Sequence, residues 1–261
     1  MIDYTFSMQD LEYFLLIFTR VSCFVFILPF FNSMNVPRRV KAALSFFIAL
    51  ILFSVMTPHT MPEYSTVLGY AVLVLKEGIT GLLIGFGASI CNSIVLLAGK
   101  IADMEIGLSM VQMFDPMTRE QSGFVGTIYQ YSLMLMMMVT NLHHYFFRAF
   151  VDAYQWVPIG GAQIDSEKLM TAMLQFLTDY ILISFRICIP IIAAMLILNC
   201  VLGVLAKVAP QVNMFSVGIQ IKILVGLAIL FLTIGMLPNI TEYVYEEMKV
   251  MMTAMAYSLH Q

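Results

Sequence analysis

The chain has 261 residues, 61% of them hydrophobic and 11% charged, with a net charge of −3 and a mean hydropathy of +0.90. Soluble domains are about 45–50% apolar and about 25% charged, so the composition marks a membrane protein and excludes an ordinary soluble domain. The slight negative charge argues against a nucleic-acid partner or a polybasic lipid anchor.

Six segments are long and apolar enough to be bilayer elements, at approximately 11–31, 40–57, 67–99, 122–142, 174–204 and 212–238. A helix needs roughly 20 apolar residues to cross about 30 Å of hydrocarbon. The pattern predicts an all-α integral membrane protein, read as one domain over 1–261 because no long Pro, Gly or Ser-rich linker divides it.

The first segment is preceded by Asp3, Asp10 and Glu12 instead of a basic region, and no small-residue cleavage site follows, so it is not read as a cleaved signal. It contains Arg20. The cations Arg38, Arg39 and Lys41 come just after it and orient the N-terminus away from the cytoplasm.

In the third segment Lys76 and Glu77 are adjacent, hence about 100° apart on a helix, and each is expected to find a different partner. Gly78, Gly81 and Gly85 follow, the last two at GxxxG spacing, which predicts close approach to another helix. The third, fifth and sixth segments exceed one crossing and are interrupted by Gly, Pro or charge. They are predicted to be bent or broken helices, or hairpins.

Between the third and fourth segments lies MEIGLSMVQMFDPMTREQSG, residues 104–123. Met110, Met113 and Met117 stand at i, i+3 and i+7, so a helical turn would place them on one face with Phe114 beside it, tied off by Asp115 and Pro116. Methionine is abundant, 22 residues, with LMLMMM at 133–138. That run reads as lipid-facing or core filler, since an unbranched, polarizable side chain packs irregular surfaces. A faint echo between GKIADMEI at 99–106 and AKVAPQVN at 206–213 suggests two related halves.

The fifth and sixth segments carry Arg186 and Lys222. A charge inside a bilayer helix costs about 2.5–3.5 kcal/mol or more. Arg20, Lys76, Glu77, Arg186 and Lys222 are therefore candidates for buried ion pairs that hold an assembly together. The alternative is a polytopic secondary transporter or channel with Glu77, Lys76 and Lys222 along a solute or ion pathway.

Nothing predicts catalysis. GxxxxGK[ST], HExxH and GxSxG are missing from the sequence. Asp103, Glu105 and Asp115 are read as lying in one loop without a partner base. His143 and His144 are neighbours whose rings are expected to point apart. Cys23, Cys91, Cys188 and Cys200 lie in apolar segments without CxxC spacing and are expected to be small buried hydrophobes. No enzyme activity, cofactor or metal is expected. Transporter, channel, assembly subunit and membrane-embedded enzyme all stay open from the residues alone.

Five strings occur in one order: VPRRVKAAL at 36–44 with Pro37 and Arg38, EGITGLLIGF at 77–86, AGKIADMEIGLSMVQMFDP at 98–116, HHYFFRAFVDAYQWVPIG at 143–160 with His143 and Pro158, and APQVNMFSVGIQIK at 209–222. The most specific are a GLxxxxxxDP element (Gly107, Leu108, Asp115, Pro116) and an APQxNxF element (Ala209, Pro210, Gln211, Asn213, Phe215). Together they resemble the FliR family of flagellar biosynthetic proteins and its counterpart in virulence type III secretion. Leu142 and Ala153 depart from that family's usual Gly and its usual Ser or Thr.

The resemblance implies a non-enzymatic core subunit of the type III export gate. It would reside in the bacterial inner membrane as a multi-pass protein at the flagellar basal body or injectisome base. It implies assembly with P and Q subunits around a central pore, association with B and A subunits, contact with membrane lipid, and passage of unfolded export substrates. It also places 104–123 in the pore as a plug, with Gly107, Met110, Met113, Phe114, Asp115, Pro116 and Met117 as its residues.

Overall fold

The structure, a computed structural model, describes residues 7–29, 31, 36–56, 62, 64, 66–109, 123–209, 211 and 214–259. Every regular element among them is helical: α1 (Met8–Ile27), α2 (Arg38–Val55), α3 (Val67–Ile106), α4 (Phe124–Val139), α5 (His143–Trp156), α6 (Ser166–Val208), α7 (Met214–Thr233), a 3-10 turn (Ile234–Met236) and α8 (Leu237–Tyr257).

Local chemistry explains where they start. Ser7 opens α1 with a capping box: its hydroxyl accepts the Gln9 amide, and its own amide donates to Asp10 Oδ2 at 3.0 Å. Pro37 precedes α2, and its carbonyl accepts the Val40 amide.

Among the described residues, three helices are long and apolar enough to cross a membrane: Val67–Ile106, Ser166–Val208 and, through the 3-10 turn, Val217–Tyr257. This is fewer than the six apolar segments. α1 and α2 concentrate charge into 20 and 18 residues, and α4 has only 16. The third segment does not break at its glycines, because α3 continues for 40 residues, about 60 Å at 1.5 Å per residue. α6 likewise runs through Pro190 for 43 residues. Of these three, the sixth segment is the one interrupted among the described residues, at Ile234–Met236.

The chain gathers into two compact units, each built from discontinuous stretches. Unit 1 takes Met1–Ile90, His143–Phe176 and Glu247–Gln261. Leu16, Ile17, Val21 and Phe24 of α1 are buried there, and Phe24 stacks on Phe150 of α5 with centroids 4.1 Å apart. The end of α8 is tied in by backbone: Gln163 N donates to Leu259 O and Asp165 N to Ser258 O, both at 3.2 Å.

Unit 2 takes Cys91–Leu142 and Leu177–Glu246. Here α3 and α4 meet at Gly99 and Gly126, so tightly that a Cβ on Gly99 would lie 2.0 Å from the Gly126 Cα. α6 is fixed to α3 by neutral groups, Ser184 Oγ to Ile94 O at 2.9 Å and Cys188 Sγ to Ala98 O at 2.8 Å. Cys91 and Cys188 are buried as expected of small hydrophobes, Cys23 is half-buried, and Cys200 is exposed.

Candidate functional site

Arg20 of α1 and Glu77 of α3 meet inside unit 1, both 0% exposed. Arg20 Nε donates to Glu77 Oε2 at 2.5 Å and Nη2 to Oε1 at 3.0 Å, a two-pronged arrangement that suits the planar guanidinium. Nη1 donates to Val157 O at 2.7 Å and Nη2 also reaches Pro158 O at 3.4 Å. The Gly160 amide completes the set, donating to Glu77 Oε1 at 2.8 Å. The guanidinium carbon lies 4.4 Å from the centre of the Tyr154 ring. Burial pushes the Tyr154 phenol well above its ordinary pKa, with Arg20 partly opposing.

Glycines make this approach possible. A Cβ on Gly81, one turn beyond Glu77, would lie 2.2 Å from Arg20 O. One on Gly85 would lie 3.2 Å from Phe24 O, and one on Gly78 would be 3.7 Å from Cys23 Sγ. The stripe therefore faces α1 and draws its backbone close to α3. Gly160 has φ +76, a left-handed conformation that turns its amide toward Glu77 and that a side chain would strain.

Both Glu77 oxygens are thus occupied, and the pair joins α1, α3 and the 157–160 connector. The sequence flagged Arg20, Glu77 and Pro158, yet the Val157 and Pro158 carbonyls act through backbone atoms that leave no side-chain signal. Tyr154 was missed as well. Its position three residues before Val157 on an amphipathic helix was the available clue.

The other expected charges are not interior in the same sense. Lys76 and Lys222 are half-buried, and their ammonium groups make no hydrogen bond or ion pair among the described residues. Arg186, expected to be buried, is exposed, and its Nη1 donates to Tyr243 OH at 2.9 Å. Its long stem lets the charged head leave the apolar surface.

At 104–123 the structure shows the two flanks. α3 continues through Ile106 and ends at Gly107, whose φ is +90 and whose amide donates to Asp103 O at 3.1 Å. Asp103 and Glu105 are therefore helical and not in a loop, because the helix ends only where a left-handed glycine becomes available. Asp103 is 2% exposed, and its Oδ1 accepts the Val125 amide at 3.1 Å, capping α4 just after Gly123. Met110, Met113, Phe114, Asp115, Pro116 and Met117 lie outside the described residues. So do Pro210, Asn213 and the Phe215 side chain, whereas Gln211 is in an exposed turn. Arg38 is exposed in the first turn of α2.

His143 opens α5, and its ring lies 4.2 Å from that of His144, tilted by 36°. The rings do not point apart. They share a side at the start of the helix, two residues after Asn141, whose φ is 57.

The sequence model for bacterial export proteins, family 1, matches residues 11–248. The chain belongs to this family. The family-1 match takes in both members of the ion pair, the glycine stripe and the 157–160 connector. Among its relatives, the chain is 29% identical over 226 residues to the flagellar biosynthetic protein FliR of Bacillus subtilis (strain 168), covering 86% of each. With FliR of Aquifex aeolicus (strain VF5) it shares 26% over 223 residues, 85% of each chain. With FliR of Escherichia coli (strain K12) it shares 24% over 229 residues, 87% of this chain and 86% of that one.

Proposed function

We propose that this chain is a membrane subunit of a flagellar type III export apparatus, acting without catalysis of its own. The observation that carries the reading is likeness along nearly the full length, on both sides, to proteins named for flagellar biosynthesis. In this reading the chain is one domain of the inner membrane whose apolar segments pack with P and Q subunits around a pore. B and A subunits of the apparatus adjoin it, and unfolded flagellar proteins pass through.

The surface supports such packing. Val67, Leu68, Ile197, Phe231 and Leu232 are each more than two-thirds exposed, far more apolar surface than water tolerates in one molecule. Lys76 and Lys222 provide cations for carboxylates on neighbouring subunits. Glu77, with both oxygens occupied, is poorly placed to relay ions or solutes, which weighs against a transporter.

Residues 104–123 act here as the plug of the closed pore. Soft methionine and phenylalanine side chains seal irregular walls and yield to a threading polypeptide. Co-expression with the P and Q subunits should yield a hetero-oligomer on purification. A monodisperse monomer that transports a small solute by itself would overturn the assignment. In the assembled complex, deleting 110–117 should raise ion leakage across proteoliposomes, and unchanged leakage would remove the plug role alone.

A further inference from the structure

Unit 2 holds two charge-free runs of matched length, one in α6 and one running from α7 through the 3-10 turn into α8. Residues 187–206 of α6 lie between Arg186 and Lys207, and 223–241 lie between Lys222 and Glu242. At 1.5 Å per residue each run is about 30 Å long, the thickness of a bilayer's hydrocarbon core. Arg186 bonds to Tyr243, so the end of one run coincides with the end of the other. With these two runs taken as the hydrocarbon-spanning parts of their helices, Arg186 and Tyr243 lie where hydrocarbon gives way to headgroups.

Directly beside them is a cleft of about 180 Å³, lined by Ile187, Pro190, Asn239 and Ile240 together with Arg186 and Tyr243. Pro190 lacks an amide hydrogen, so its turn of α6 forgoes one backbone bond, and the 3-10 turn interrupts the helix opposite. The walls are apolar. The α6 surface beside it within the run is also apolar and open: Ile189 is 57% exposed.

Arg186 has a neutral partner, the tyrosine hydroxyl, but no carboxylate among the described residues lies within ion-pairing distance. A guanidinium at this depth, with an apolar cleft next to it, matches a molecule with an anionic oxygen head and a hydrocarbon tail. We propose that the cleft binds one anionic phospholipid, its phosphate on Arg186 and Tyr243 and its acyl chain against Ile187, Pro190 and Ile240. Arg presents a planar fork to phosphate oxygens, and basic pockets between membrane helices take anionic headgroups for this reason. The proposal rests on the membrane reading of α6, α7 and α8 and not on the export role.

The test is native mass spectrometry of the full chain released from detergent after incubation with phosphatidylglycerol, phosphatidylcholine, diacylglycerol or inorganic phosphate. One phosphatidylglycerol should be retained, at about tenfold or more over diacylglycerol, and excess inorganic phosphate should not displace it. Arg186→Gln should lower that retention by about tenfold, Arg186→Lys by less, and Arg148→Gln, a change at another exposed arginine, not at all. Ile187→Trp fills the cleft without touching the cation and should also reduce retention, so the outcome does not depend on how well one variant folds. Equal retention by the wild type, Arg186→Gln and Ile187→Trp would overturn the proposal. So would retention of diacylglycerol as strong as that of phosphatidylglycerol. If Arg186→Gln left lipid retention unchanged but reduced recovery of the hetero-oligomer, the cation would belong to a protein partner and the lipid site would be excluded.

Discussion

The two units solve the same problem, joining helices in an apolar setting, by opposite means. Unit 1 carries a guanidinium and a carboxylate into its interior and satisfies them from α1, α3, Val157, Pro158 and Gly160. Unit 2 carries no buried ion pair among the described residues: it joins its helices through the Gly99 and Gly126 backbones, through the neutral Ser184 and Cys188, and through the Asp103 carboxylate on the Val125 amide, and its Arg186 remains exposed. The contrast shows two tolerable states for a charge in such a chain. Arg20 and Glu77 are surrounded by partners from their own fold, whereas Arg186 is left at a surface where an external partner can meet it.

The sharpest way to break this comparison is to remove one half of the buried pair. Arg20→Met leaves the Glu77 carboxylate buried without its cation and should cost about 3–5 kcal/mol. The double variant Arg20→Met with Glu77→Leu should recover most of that loss, since a well-packed apolar pair often replaces a buried ion pair at little cost. Ser184→Ala in unit 2 should cost only about 1 kcal/mol. Unfolding of the detergent-solubilised protein, titrated with a denaturing detergent, measures all three. A single variant as stable as the double would mean that the pair does not hold unit 1 together.

Glycine substitutions sharpen it further. Gly81→Ala and Gly99→Ala each push a methyl group into the backbone of a neighbouring helix, at 2.2 Å and 2.0 Å, and each should destabilise by about 1–3 kcal/mol. Gly203→Ala is the internal control. Nothing lies within 4 Å of a Cβ there, so the change should stabilise α6 by about 0.5–1 kcal/mol. The same unfolding titration reads these shifts. If all three moved stability alike, close backbone packing would not be what these glycines provide.

Much of unit 1 was legible as ingredients and little of it as pairings. Arg20, Glu77 and the glycine stripe stand out because charge and GxxxG spacing are conspicuous in apolar runs. Which charges meet was not legible, because Arg20 and Glu77 are 57 positions apart and Lys76 differs from Glu77 only by a rotation about the helix. The connector's contribution is made by carbonyls and an amide, which every residue type offers. Two helices were hidden by their polar faces. α5 and α8 fall short of a continuous apolar run, yet α8 buries Met248, Met251, Met252 and Met255 at helical spacing, a stripe that periodicity alone reveals. Asp103 was misread for the reverse reason: polar composition suggested a loop, whereas the carboxylate is used to cap the next helix.

The smallest effect concerns the start of α6, where charge is handled in the open. Asp165 Oδ1 accepts the amides of Glu167 at 3.0 Å and Lys168 at 3.2 Å, while Oδ2 lies 3.3 Å from Lys168 Nζ. The Lys168 amide, foremost, holds the carboxyl below its ordinary pKa, with the other donors and the lysine charge adding to it. A depressed folded pKa means that this contribution is complete above the unfolded carboxyl's value, about 3.9, and is lost as pH falls through the folded value. Hydrogen exchange at the Glu167 and Lys168 amides should therefore show protection that is constant above about pH 5 and declines below about pH 4, after correction for intrinsic rates. Asp165→Asn keeps an amide-capping oxygen but no titrating charge, and should flatten that profile. Lys168→Met should leave the profile in place, because an ion pair with both side chains more than a third exposed adds little. A profile abolished by Lys168→Met would assign the effect to the surface ion pair instead of the cap, and would make this exposed site follow the charge-pairing logic of Arg20 and Glu77.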